Sequence, residues 1–242
     1  MCCALSVLLD AAAPAVAQVK PQPKPQVQPQ TAGAAANEGR FEISGAVGIA
    51  GGHTLDSEKA TETGNGVPSG SPATLFETVT SFDRGTLFEG RIGWRLSRAF
   101  SVEGTFTMTR THLRTEIRND SEQAAATTAT SPLTQYTAEG GVAWQPTRLR
   151  LGRAGRARIF IAGGGGYLRQ LHDDATLVET GAAAYAGGGL KYRVHEARTR
   201  ALLKSVGIRA DARVNLVRGG FDVTEDTWHA YPSVSAGLFV CF

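Results

Sequence analysis

The 242-residue chain has only three cysteines, Cys2, Cys3 and Cys241. Their positions, two at the start and one at the end, give neither a disulfide framework nor a CxxC metal pattern. Long apolar runs are missing too. No stretch reaches the roughly 18 consecutive apolar residues of a membrane helix. Ala4 to Ala17 comes nearest, and Asp10 and Pro14 break it. No long segment repeats at the helical period. Charge of one sign is also scarce. The net charge is +3, from 25 Lys and Arg against 22 Asp and Glu. The bases gather on no helical face, which excludes a nucleic-acid partner. The histidines, His53, His112, His172, His195 and His229, show neither HExxH nor paired ligand spacing. Most fall in expected loops and read as solvated loop residues, and neither a metal nor a cofactor is expected.

Glycine, in contrast, is abundant at 29 residues. A glycine-rich chain without helical periodicity points to a sandwich or a barrel. The N-terminal segment reads as a signal peptide over residues 1–17, with an apolar stretch Leu5 to Leu9 and a small-residue site at Ala15-Val16-Ala17. Residues 18–39 read as a linker. Its core VKPQPKPQVQPQT favours polyproline II and acts as a solvated spacer.

Residues 40–242 carry strict alternation in eight segments, starting near Phe41, Leu87, Phe100, Thr134, Ala157, Ala184, Val206 and Ala230. Each is close to the 9–11 residues of a tilted membrane strand. One face is apolar, with Phe88, Trp94, Phe106, Tyr136, Trp144 and Tyr192. The other carries Glu42, Glu89, Arg91, Arg95, Glu103, Glu139, Lys191, Arg193, Arg209, Asp211 and Arg213. Turned inward, the rings would crowd a narrow lumen. Turned outward, they form the interfacial belts of a membrane barrel. With the first strand ascending from the periplasm, Phe41, Trp94, Phe100, Trp144, Tyr192 and Phe242 fall in one girdle near the periplasmic rim. Phe88, Tyr136, Tyr167 and Trp228 fall near the other. The expected fold is therefore an all-β, eight-stranded, antiparallel up-and-down transmembrane barrel.

Connections alternate short and long, as such barrels require. Ser97 to Ala99, Pro146 to Arg156 and His195 to Ser205 are the shorter turns, and their bases include Arg148, Arg150, Arg153, Arg156, Arg198, Arg200 and Lys204. Gly51 to Arg84, Arg110 to Leu133, Gln170 to Ala183 and Arg218 to His229 read as long polar or acidic loops.

Three stretches carry a family resemblance: FIAGGGGY at Phe160 to Tyr167, GIRADARVNL at Gly207 to Leu216, and the terminal SVSAGLFVCF. Over Arg40 to Phe242 the chain resembles the OmpA-like outer-membrane β-barrel domain family. The resemblance implies a place in the bacterial outer membrane, among its lipids. It also implies that Val240 and Phe242 form part of the C-terminal signal read by the barrel-assembly machinery. The sequence departs from OmpA itself in showing no peptidoglycan-binding domain after the barrel, so cell-wall anchoring is not expected.

The inward charges decide between functions. An eight-stranded barrel is just wide enough for side chains to fill it. Charges buried there must pair. The expected state is a salt-bridged plug in a structural or adhesin-like protein that meets a surface ligand through its long loops. A small ion-conducting pore is the alternative. A hydrolase is the third reading, with His229, Asp226 and Ser233 as its only local grouping. No motif supports it, so no enzyme is expected. Gly163 to Gly166 lacks the strand-loop-helix setting of a phosphate loop and reads as relief of crowding inside a strand.

Overall fold

The computed structural model describes residues 39–62, 73–119, 125–151, 156–172, 177–197, 202–220 and 227–242. The signal peptide and nearly all of the linker lie outside the described residues. So do Asp173, Asp174, Asp222, Glu225, Asp226, Arg153, Arg198 and Arg200.

Eleven strands follow one another along the chain: β1 (Phe41–Ala50), β2 (His53–Glu62), β3 (Ala73–Phe82), β4 (Gly85–Arg95), β5 (Phe100–Arg118), β6 (Thr127–Trp144), β7 (Arg150–Leu151), β8 (Ala157–His172), β9 (Leu177–Glu196), β10 (Ser205–Gly219) and β11 (His229–Cys241). Eight of them close a ring in the order β1, β4, β5, β6, β8, β9, β10, β11, every pair antiparallel. At the seam β1 meets β11 in continuous register from Glu42↔Cys241 to Ala50↔Ser233. Closure removes the open edges that lipid would leave without hydrogen bonds.

The alternation sets which way each side chain points. Val47, Ile92, Trp94, Val234 and Leu238 face outward and are 58, 56, 52, 55 and 64% exposed, whereas inward Glu103 and Arg209 are 5 and 3% exposed. Large apolar side chains circling the outside with charges buried inside invert the soluble arrangement. Only a lipid surround is consistent with it. The turn between β4 and β5 is tight: Ser97 Oγ accepts bonds from the Ala99 and Phe100 amides at 3.2 and 3.0 Å. This is the local side-chain turn that serine favours.

The structure corrects three of the expected long loops. Within the first of them, His53–Glu62 and Ala73–Phe82 are antiparallel paired strands, β2 and β3, where a loop was expected. β5 runs 19 residues and β6 runs 18, so most of Arg110 to Leu133 is paired strand. β8 reaches His172 and β9 starts at Leu177, so Gln170 to His172 and Leu177 to Ala183 of the third expected loop are strand. β3 pairs with the upper part of β5, Glu77↔Arg118 to Phe82↔Leu113, and β5 pairs on with β6. A four-stranded blade, β2-β3-β5-β6, thus stands above the membrane belt. Loop composition hid it: threonine, serine and charged residues suit a two-faced solvated sheet as well as a loop. The turn after β6 also contains a short strand, β7, paired to β8.

Candidate functional site: a charge-packed lumen

The interior is built in layers. Around its middle, Arg209 lies bidentate on Glu103 at 3.0 and 2.9 Å, and its Nε donates to Asp211 at 3.0 Å. Arg91 donates to Asp211 at 2.8 Å and pairs with Glu89 on its own strand. Arg213 bridges Glu89 at 3.2 Å and Asp211 at 3.4 Å. Lys191 donates to both oxygens of Glu42, at 2.7 and 2.9 Å, and reaches Glu103 at 3.5 Å. Strands β1, β4, β5, β9 and β10 are thereby tied across the lumen. Bidentate, charge-assisted bonds of this kind offset the cost of burying the ions.

The three other sequence-derived lumen residues lie around that network. Glu139 faces Arg213 and Arg91 at longer range. Arg193 pairs with Glu196 near the periplasmic rim. Arg95 lines a small periplasmic vestibule with Glu42, Lys191 and Arg158.

Among the described residues of the barrel strands, four inward aromatic residues escaped the sequence analysis: Phe160, Tyr185, Tyr231 and Phe239, all buried. Three of them lie over glycine. A Cβ on Gly189 would come within 2.7 Å of the Phe160 ring, one on Gly207 within 2.5 Å of Phe239, and one on Gly141 within 2.3 Å of the Tyr185 hydroxyl. The glycines make the space that the rings fill. Cations then cover the rings: Arg209 sits 4.4 Å from the Phe160 centroid and Arg213 4.6 Å from Tyr185. Such contacts are worth most where water is excluded. The signal available in the sequence was parity. These aromatics fall in phase with the charges, between outward neighbours such as Ile159 and Ile161.

Above the charges lies an apolar layer of Ala50, Leu87, Leu168, Ala183, Val217 and Tyr231. Gln135 donates to the Tyr231 hydroxyl at 2.9 Å and accepts from Gln170 at 3.1 Å. At the base of the blade, His53 stacks on Tyr231, with centroids 5.0 Å apart and planes 8° apart, beside Phe82 and His229. Burial pushes the His53 imidazole down to about 4, and neighbouring His229 adds to the shift. Two cavities in the lumen measure only about 10 and 20 Å³, room for a water molecule or so.

The girdle residues gather at one end. Phe41 pairs with Trp94, and Phe100 with Trp144. The Phe41 ring stands 6.5 Å from Trp94 and 6.3 Å from Phe242. The hydrolytic grouping is not assembled. His229 and Ser233 are four residues apart on β11, about 13 Å along a strand. Asn215 donates to the Ser233 hydroxyl at 2.9 Å, and Asp226 lies outside the described residues.

A closed ring of eight antiparallel strands, apolar outside and packed with paired charges inside, defines a small transmembrane β-barrel of the bacterial outer-membrane class. No protein-family model and no curated protein matches the chain. Among solved structures it is similar to Neisserial surface protein A, with TM-score 0.48, 12% identity, and 84% of this chain and 96% of that one covered. It is also similar to the outer membrane protein OprG of Pseudomonas aeruginosa, with TM-score 0.43, 11% identity and 85% and 96% covered. The outer membrane protease OmpT of Escherichia coli gives TM-score 0.43, 9% identity and 84% and 96% covered.

Proposed function

We propose that the protein is a non-catalytic outer-membrane barrel with a structural or adhesive role, which presents its β-blade to surface ligands while its lumen stays shut. The observation that carries this reading is closure at two successive levels. The layer of Arg209, Glu103, Asp211 and their partners fills the middle. The layer of Tyr231, Leu168 and His53 seals the end beneath the blade. A conducting path needs a lining that ions can enter and leave, and both layers oppose that. Assembly by the barrel-assembly machinery and a loop-borne surface ligand belong to the same reading.

Planar-bilayer recording of the full-length protein tests it. The expected result is no steady conductance for wild type. Steady channels whose conductance shifts with Glu89→Gln or Arg213→Gln would overturn the closed-lumen reading in favour of a pore. Hydrolysis of phospholipid or peptide by the purified protein, abolished by His229→Ala, would overturn the non-catalytic part.

A further inference from the structure

We propose that the outer wall of the barrel carries a binding site for a phosphate-bearing lipid of the outer leaflet, with an acyl chain in a groove across β5, β6 and β8 and the phosphate on Arg169. The inference rests on the barrel's place in the membrane and is independent of the adhesive reading.

The groove has a volume of about 400 Å³ and is lined by Phe106, Tyr136, Ala138, Tyr167, Arg169 and Leu171. Register explains its shape. Phe106, Ala138 and Tyr167 are cross-strand neighbours on the outward face. A methyl group therefore stands between two large rings. Tyr136 packs on Phe106, with centroids 6.0 Å apart, and completes one wall. Lipid chains must fill a dent of this kind, because no water is available there to do so.

The rim of the groove is basic. Arg169 is Tyr136's partner in the register and is exposed, beside the ring. Arg110 pairs with Thr134, which pairs with Leu171. It is exposed too, and by strand spacing and rise it stands about 12 Å from Arg169. On this arc the first outward carboxylate of β5 is Glu116, higher in the blade and bonded to Arg118. Two tyrosines mark the level as the membrane interface. An apolar slot below that interface with guanidinium groups at its mouth matches a lipid whose headgroup ends in phosphate. Guanidinium binds phosphate oxygens in a paired geometry.

Native mass spectrometry of the full-length protein extracted from mixed phosphatidylcholine and phosphatidic acid vesicles tests the assignment. Wild type should retain phosphatidic acid selectively. Arg169→Gln should lower that retention about fivefold, the effect of one base at a lipid surface. Ala138→Phe should fill the slot and lower it as well. Ala210→Phe, the same change at an exposed outward position on β10, should leave it unaltered. Heat-modifiable gel migration identifies the variants that fold, and exposed Arg169 keeps the test open if Ala138→Phe does not. Equal retention of the two lipids, or retention indifferent to Arg169→Gln, would overturn the site. Displacement by inorganic phosphate as effective as by phosphatidic acid would overturn the lipid assignment in favour of free phosphate.

Discussion

Arg209 is the residue on which the interior depends most. It is 3% exposed and holds Glu103 and Asp211 at the same time, with Phe160 beneath it. Removing it leaves two buried carboxylates short of a partner, and breaking a buried pair in this way costs about 3–5 kcal/mol. Arg209→Met should lower the unfolding free energy by that amount in urea titrations of the detergent-solubilised barrel, followed by tryptophan fluorescence. Arg169→Gln, on the exposed wall, should change it by no more than about 0.5 kcal/mol. An equal loss in the two variants would show that the network is not what stabilises the lumen. At this scale the charges were legible in the sequence because alternation alone assigns a face. Which charge pairs with which was not, because Arg91 meets Asp211 from 120 positions away. That pairing depends on the order and stagger of strands, and no local pattern encodes either.

The elements show the same division. All eight membrane strands were legible as ten-residue alternations, and their turns as basic or serine-bearing breaks. The blade was not, because β2, β3 and the upper halves of β5 and β6 are polar on one face and weakly apolar on the other. The glycine run of β8 was read as relief of crowding, and the structure gives that reading its partners. A Cβ on Gly164 would meet the Gly140 carbonyl at 2.3 Å and the Tyr185 ring at 2.9 Å, whereas one on Gly140 meets nothing within 4 Å. Gly164→Val should therefore prevent formation of the heat-modifiable folded band, and Gly140→Val should leave it intact. Equal folding yields would mean that the β6 backbone and the Tyr185 ring both give way. The cap under the blade makes a separate prediction. His53 titrates near 4 in the folded chain against 6.5 unfolded. Its neutral form is the one that packs, so its contribution is complete above about pH 6.5 and is lost as pH falls towards 4. Amide exchange in His53–Glu62 and Ala73–Phe82, corrected for intrinsic rate, should accelerate between pH 7 and pH 4.5 in the wild type. In a His53→Phe variant the change should be absent. Exchange that stays flat in the wild type would remove His53 from the cap.

For the whole molecule the decisive event is closure, and Phe242 stands where it happens. Its amide donates to the Phe41 carbonyl at 2.8 Å, and its own carbonyl accepts from the Phe41 amide at 3.4 Å. These bonds continue the β1–β11 ladder past Cys241 to the end of the girdle. The ring of Phe242 adds an apolar contact with Phe41 at the same level. A seam that opens in lipid exposes backbone groups at a cost of several kcal/mol apiece. Loss of the last residue should therefore act on assembly beyond the loss of one apolar side chain. Deletion of Phe242 should lower the amount of folded barrel recovered in the outer-membrane fraction several-fold. Deletion of Val19 to Gln30, which precedes the barrel, should have little effect. Phe242→Ala separates backbone from ring, since it keeps both hydrogen bonds and removes the contact with Phe41. If the ring serves recognition by the assembly machinery, Phe242→Ala should fall as far as the deletion. If closure by the backbone dominates, it should fall between the deletion and wild type. Equal recovery of the Phe242 deletion and the Val19 to Gln30 deletion would sink both roles and show that the seam closes without its last residue.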